Sequence, residues 1–479
     1  MTQSRETIEE SLPCPHCNAL NQKLGSQCEG CGRRVIKLPE WARKQSRRGL
    51  FGRRGLIFVT HNKVTLLIVA LLLVGAFIWH NYHIVPNPVT LIFKSPSTQL
   101  SSLSAPGEWA MAGYDLDNTR YIPQASTMPQ GHLLWSSDEN YLVGESRPVV
   151  VDDTLYVGSH FKFIALDTDT GEEVWKKDMR GLINSTPAIA EDNIYFSDTD
   201  QRIYSLDRHT GEPKWIYKTE APNRGSAAVH NGIVFMGSGD RHMYALDAAT
   251  GKRLWRFKAG SVLYNPPALN DGVLYFLSEA NLYSVNYRTG QSRMNFRVGR
   301  GISVFDAPVV AHGLVYMVSD WGILTAKAGI REIPARWSIE RMWRILWVKG
   351  FPVPDPPPQQ GFNWRFSTRE RRTFIRSAPA VTPEAFFVGD DGGFLYARDA
   401  KDATELWTVR VDDQIKSSPV VVNDAIYFGT KAGTLYALDR YSGRELWSTS
   451  LGAPIEIPPS YADGKLFVRT SDGRIHAVE

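Results

Sequence analysis

The chain predicts an all-β fold, an eight-bladed β-propeller lying outside the membrane, preceded by a small zinc ribbon and a single transmembrane helix. Three observations carry that expectation: a repeat of about forty residues through the C-terminal part, one uncharged apolar run, and four cysteines in two close pairs. At 479 residues the chain exceeds the usual size of a single core, so several units are expected.

The first unit follows a short tail (1–12) and spans 13–34. It holds all four cysteines, in "CPHC" (Cys14, Cys17) and "CEGC" (Cys28, Cys31). Two Cys-x2-Cys knuckles ten residues apart can converge as a tetrahedral thiolate site, so Zn is the expected, structural metal. The run "CPHCNALNQKLGSQCEGCGRR" resembles the zinc-ribbon modules at the N-termini of many bacterial membrane proteins, which implies a structural metal.

The next segment, 35–62, is basic. Residues 32–63 hold ten Lys or Arg against one acid, so this stretch is +9 and the rest of the chain −5. A nucleic-acid role for the whole protein therefore finds no support. The charge flanks "VTLLIVALLLVGAFIW", Val64–Trp79, and no Asp, Glu, Lys or Arg recurs until Lys94. Residues 63–85 read as a membrane-crossing helix, since Val64–Val85 reaches roughly 33 Å at about 1.5 Å per residue. The positive-inside rule places the N-terminus in the cytoplasm and the remainder outside the plasma membrane. Residues 86–107, rich in Pro and Ser, read as a linker.

The repeat occupies 108–479. "IALDTDTGEEVW", "YSLDRHTGEPKW", "YALDAATGKRLW", "YARDAKDATELW" and "YALDRYSGRELW" end at Trp175, Trp215, Trp255, Trp407 and Trp447. Each Trp follows an Asp (Asp167, Asp207, Asp247, Asp399, Asp439) across a turn rich in Thr, Ser and Gly. A period near forty with several short apolar runs per unit is the mark of blades of antiparallel strands. The Asp is expected to cap the turn rather than to do chemistry, and the Gly to supply a positive φ. Units begin near Ser146, Ser185, Ser226, Asn265, Asp306, Ser377, Ser417 and Ile457. The last stops short of its Trp strand, so the orphan strand with Trp135 should complete it and close the ring. Seven blades is the alternative count.

The repeated "LD-x-x-TG-x-x-x-W" resembles the tryptophan-docking motif of the PQQ-like β-propeller superfamily. "EWAMAGYDLDNTRYIPQ", Glu108–Gln124, is similar to the segment that opens the propeller in many quinoprotein members. The superfamily holds PQQ-dependent dehydrogenases and also BamB-like scaffold propellers, so the resemblance implies the fold and leaves function open. PQQ and Ca are the cofactors of the enzymes. Those enzymes set a vicinal disulfide against the quinone and build their site on long loops. Here 108–479 contains no cysteine and its units keep near forty residues. The expectation is a non-enzymatic, membrane-anchored scaffold for envelope proteins; the alternative is a PQQ-dependent oxidoreductase or PQQ-binding sensor.

The repeat breaks once. Asn286 and Met294 stand in the Asp and Trp places of the fourth unit, and the fifth carries an insertion within 331–372. Trp364 or Phe366 is the expected docking aromatic there. On a helix, Ile339, Met342, Trp343 and Leu346 share one face and Glu340, Arg341 and Arg344 the other. The apolar four are candidates for contact with a partner or the membrane, or for packing on the ring itself. The prolines from Pro352 to Pro358 favour an extended segment after it.

Overall fold

A computed structural model describes residues 92–479 except 138–144, 280, 299–306 and 333–335, together with the strand pair 12–13 and 20–21 and the helix 63–82. It divides into two units, Met1–His80 and Asn81–Glu479.

In the first unit Leu12–Pro13 pairs antiparallel with Leu20–Asn21. The four predicted zinc ligands lie outside the described residues, as does the basic segment. Helix α1 runs from Lys63 to Tyr82, as its β-branched but uncharged run allows. Its described side chains, from 65 to 75, are exposed. Among the described residues no helix is long and apolar enough to cross a membrane. The predicted span is thus not established by the structure.

The second unit is a ring of eight sheets, the number the repeat predicts. Blades 1 to 4 span Val149–Asp178, Ala188–Lys218, Ala228–Lys258 and Ala268–Arg297; blades 5 to 7 span Val309–Ser367, Ala380–Arg410 and Val420–Ser450. Blade 8 joins Ser460–Val478 to Leu133–Ser136, with Ala477 opposite Trp135. N- and C-terminal strands therefore close the ring within one sheet.

Each blade has the same local logic. In blade 7, Asp439 Oδ1 accepts the backbone N–H of Ser442 at 2.8 Å and its hydroxyl at 2.7 Å. Gly443 turns with φ 71°, and a bulge between Ala437 and Leu438 brings Trp447 opposite Ala437. Asp167, Asp207, Asp247 and Asn286 cap their turns through the same atom, which confirms the turn-cap reading. Asn286 works because the cap needs an acceptor oxygen, not a charge.

The tryptophans lock the seams. The indole N–H of Trp175 donates to Arg208 O at 2.9 Å, that of Trp215 to Ala248 O at 2.8 Å, and that of Trp407 to Arg440 O at 3.0 Å. Each indole also lies flat on the turn glycine of the next blade: a Cβ on Gly251 would stand 2.7 Å from the Trp215 ring. In blade 5, Trp364 rather than Phe366 takes the docking place, exchanging backbone hydrogen bonds with the Thr325 hydroxyl and stacking on Phe386 of blade 6.

Candidate functional site

The ring encloses a channel, and one strand edge of every blade faces it. An unpaired inner edge would leave backbone donors and acceptors without partners. The stretch Trp109–Ile122 supplies them. Trp109 exchanges both backbone bonds with Val150 of blade 1, and Ala110 O accepts from Ile189 of blade 2. Leu116, Asp117, Thr119 and Arg120 carbonyls then accept from Leu269, Val310, Val381 and Val421 of blades 4 to 7. Blade 3 is served from the linker, where Ser102 bonds Val229. The segment similar to the quinoprotein opening thus plugs the channel, one blade after another.

The plug turns tightly to do so. Gly113 is required because a Cβ there would collide with the side chain of Asn118, whose amide donates to Pro267 O and Pro308 O. Asp115 is half-buried, accepts hydrogen bonds from the backbone N–H and hydroxyl of Thr119, and has its carboxyl pushed up by desolvation. Asp117 is pushed up to about 6, by burial first and by the neighbouring Asp115 second, against the hydrogen bond from Asn270.

Above the plug the channel opens as a cup of about 690 Å³. Arg147 ties wall to floor, donating to Ala112 O at 3.2 Å. The lining brings cations from five blades: Arg147, Arg224, Arg376, Lys416 and Arg469. Its carboxylates are Glu145 and Glu456, the latter paired with Lys416 at 2.6 Å. Arg469 stands where blades 1, 3, 6 and 7 have Gly158, Gly237, Gly389 and Gly429, and reaches Gly158 O at 2.8 Å. Burial pulls its guanidinium down to about 10. Sequence reasoning missed this cup; the signal was a polar or basic residue beside the serine that opens several units, as in "ESRP", "IRSAP" and "IKSSP".

The cup suits the carboxylates of an anionic ligand such as PQQ. It does not suit calcium, which takes six to eight oxygen ligands. Among the described residues no group of three or more His, Cys, Asp or Glu could hold a metal. The fit to the enzymes' paired cofactor set is therefore partial.

The insertion forms the second candidate. Thirty-four residues separate Lys327 from Phe362, where the other connections between ring strands hold twelve at most. Helix α2 runs from Arg336 to Val348. Glu340 is buried and accepts from Arg336 at 2.6 Å, and Glu340 and Arg344 line a cleft against Arg297 and Gln359 at the ring's edge. Polar and apolar residues of the helix both reach this cleft, where Arg341, Ile345, Val348 and Lys349 join Glu340 and Arg344. Ile339 and Met342 are each 60% exposed. Trp343 and Leu346 are half-buried, with the Trp343 indole donating to Pro354 O and that of Trp347 to Asp355, so the proline segment folds back along the helix.

The family described as outer membrane protein assembly factor BamB matches residues 122–328, 357–431 and 421–479. The chain belongs to that family. The unmatched stretch between 328 and 357 contains all of α2. BamB from Moraxella catarrhalis superposes with a TM-score of 0.57 at 13% identity, over 72% of this chain and 97% of that one. Quinohemoprotein alcohol dehydrogenase from Comamonas testosteroni gives 0.61 at 15% identity, over 82% of each chain. A computationally designed protein, Ika8, gives 0.59 at 13%, over 73% and 99%. Such identities establish the shared fold alone. Among curated proteins, 1-butanol dehydrogenase (cytochrome c) of Thauera butanivorans is 38% identical over 78 residues, 15% of this chain and 11% of its own length.

Proposed function

We propose that this BamB-family propeller is a membrane-anchored, non-enzymatic scaffold for other envelope proteins. The observation that carries the reading is where the chain spends its extra length. Described turns within the other blades are short and capped, whereas the one long excursion, residues 328–361, stands at the ring's edge and away from the cup. A ring built in this way presents surface rather than an enclosed reaction chamber. The apolar run of α1 serves as the single-pass anchor in the plasma membrane, with the N-terminus cytoplasmic and the propeller outside. Cys14, Cys17, Cys28 and Cys31 hold a structural zinc on the cytoplasmic side.

In-membrane crosslinking of the full chain, with and without residues 331–360, tests the scaffold reading. Envelope proteins captured by the intact chain, with a partner set altered by the deletion, support it; no capture at any ring position overturns it. A second reading is favoured by the basic cup, which suits an anionic quinone. Titration with PQQ and calcium tests it, since stoichiometric binding with dye-linked alcohol oxidation replaces the scaffold with an oxidoreductase.

A further inference from the structure

The basic residues of the cup continue beyond it. Connections that carry the chain from the outer strand of one blade to the inner strand of the next supply much of the cup's lining. One of them, 368–379 between blades 5 and 6, holds Arg369, Arg371, Arg372 and Arg376 against Glu370, a net +3. No other such stretch of the sequence exceeds +1: 137–148 is −2, 298–308 is 0, and 411–419 and 451–459 are −1 each. It is also long, with twelve residues where 179–187, 219–227, 259–267, 411–419 and 451–459 have nine.

This connection is fixed in place. The Thr373 hydroxyl donates to Asp390 at 2.5 Å, the Phe374 N–H to Asp391 at 2.7 Å and the Ile375 N–H to Asp320 O at 3.1 Å. Arg369, Arg371 and Arg372 are exposed, and the Arg371 guanidinium lies 4.6 Å over the Phe394 ring. Trp321, 37% exposed, packs 4.3 Å from Phe374. Four residues after Arg372, Arg376 lines the cup. Rim and cup are therefore one basic surface, in a ring whose residues 108–479 hold forty-one Lys or Arg against forty-five acids.

Arg469 shows that the cup keeps positive charge at a cost. In three other seams Gly158, Gly389 and Gly429 leave room for Ile183, Ile415 and Ile455, and a Cβ on any of the three would collide with the isoleucine. At the seam of blades 8 and 1 the sequence has exchanged the pair, with Arg469 in the glycine's place and Gly144 in the isoleucine's. Apolar filling is given up for a guanidinium only 1% exposed, and burying a charge is expensive.

Shape and lining decide which anion fits. A lipid surface is too flat to enter a cup. A nucleic-acid strand needs aromatic platforms for successive bases, and the cup's described lining offers only Tyr264, with Arg224 already over its ring at 5.8 Å. A compact anion fills the cup but leaves Arg369, Arg371 and Arg372 without a role. An extended acidic polypeptide engages both parts, because carboxylates pair with arginine in a bidentate fork. The plug closes the cup below, so a chain that enters has to end there.

We propose that cup and rim receive the acidic C-terminal tail of a partner polypeptide. Its terminal carboxylate lies among Arg147, Arg224 and Arg376, and the acidic side chains before it follow Arg369, Arg371 and Arg372 outward. This rests on the scaffold reading above and gives it a class of partner. The surface is at the end of strand Phe362–Ser367 opposite to the insertion.

Fluorescence anisotropy of the purified full chain with a labelled synthetic peptide, glutamate-rich at its C-terminus, tests it. The expected result is saturable binding that weakens with salt, weakens several-fold when the terminal carboxylate is amidated, and is lost when glutamine replaces glutamate. Arg369→Glu with Arg372→Glu, and separately Arg224→Gln with Arg376→Gln, should each weaken binding about tenfold. Arg341→Glu with Lys349→Glu, which change the charge as much on the insertion, should leave it unaltered. The peptide comparisons hold whether or not a variant folds. Equal binding of the glutamine peptide, equal loss in the insertion variant, or tighter binding of a thymine oligonucleotide overturns the proposal. Absence of peptide binding overturns it too, whereas the scaffold reading falls only when crosslinking captures nothing, so the two failures are distinguishable.

Discussion

Ala403 stands, with φ 63°, in the turn place that glycine fills at 171, 211, 251, 290 and 443, and the tryptophan of the preceding blade, Trp364, has a buried indole N–H without a partner. The two pack against the same cluster. Elsewhere the glycine lets the indole settle on the turn and donate to the residue after the capping Asp. Here that residue is Ala400, whose carbonyl accepts from Tyr316 at 2.6 Å but not from Trp364. Tyrosine alone does not displace the indole, since Ala248 O accepts from both Tyr195 and Trp215. The remaining difference at this turn is the extra methyl of Ala403. Ala403→Gly should remove about 1 kcal/mol of left-handed strain and recover a hydrogen bond worth about 1 kcal/mol, offset by about 0.5–1 kcal/mol of unfolded-state entropy. Net stabilisation of about 1 kcal/mol in denaturant titration is expected; a loss would show that Trp364 is not held off by Ala403.

Met294→Trp is expected to destabilise, although it restores the repeat. The fifth blade has exchanged its capped turn for the insertion, so an indole there meets Gly361, already in contact distance of the Met294 sulfur, and Ile330 in place of a capped turn. Met294 instead sits buried with Ile330 and Phe362 alongside. Overfilling that site should cost about 1–3 kcal/mol, read as a lower midpoint of thermal unfolding.

The plug makes stability depend on pH. Asp117 holds its proton up to about 6 in the folded chain against 3.8 ordinarily, and the half-buried Asp115 shifts in the same direction. Between these values the folded state binds more protons than the unfolded one, so stability is greatest below the window and falls as pH rises through it. Asp117→Asn keeps an acceptor for Asn270 and removes the charge. It should flatten the slope between about pH 4 and 6 and stabilise at pH 7 by about 1–2 kcal/mol, allowing for partial solvent screening. An unchanged slope in pH-dependent melting would falsify the assignment.

Asp247 caps its own turn and also holds Ser97. Asp247→Ala should therefore release the linker, making 95–103 cleave about tenfold faster in limited proteolysis. Asp439→Ala, which loses a cap and no linker contact, should leave that rate unchanged while costing about 1 kcal/mol. Similar cleavage in both variants would assign the linker's order to something other than Ser97–Asp247.

For the N-terminal cysteines, the purified full chain should carry one equivalent of zinc by elemental analysis, and cobalt exchange should yield the intense thiolate charge-transfer absorption of a four-sulfur site. Cys14→Ser or Cys31→Ser should each weaken retention strongly. Iron with labile sulfide in place of zinc would overturn the assignment.

The number of blades and their closure were legible because the Asp–Trp spacing repeats a unit of structure, and Trp135 was left over by the count. Even Asn286 was readable once the cap is seen to need an oxygen alone. The plug was not legible: it bonds to a new blade every residue or few, so it has no period of its own, and its partners lie up to 300 residues away. For α2 the helical wheel grouped its residues but could not say which of them the ring's edge and the proline segment would cover. That depends on the Glu340–Arg336 pair turning inward and on the proline segment folding back, neither of which hydrophobicity encodes. The cup escaped notice because its cations come singly from separate units.

The plug also changes how this molecule must assemble. Repeat arrays whose units touch only their neighbours can gain order locally and spread it. Here Trp109–Ile122 is made before any blade, yet its bonds are completed only when Val421 and Asn423 have arrived. The segment waits through the synthesis of some 300 residues, with its own apolar side chains uncovered, for the edges it will cap. Such distant contacts slow folding and make it collective. The inner edges of the blades are then protected together or not at all, and a chain cut short after blade 6 retains a plug without a complete socket.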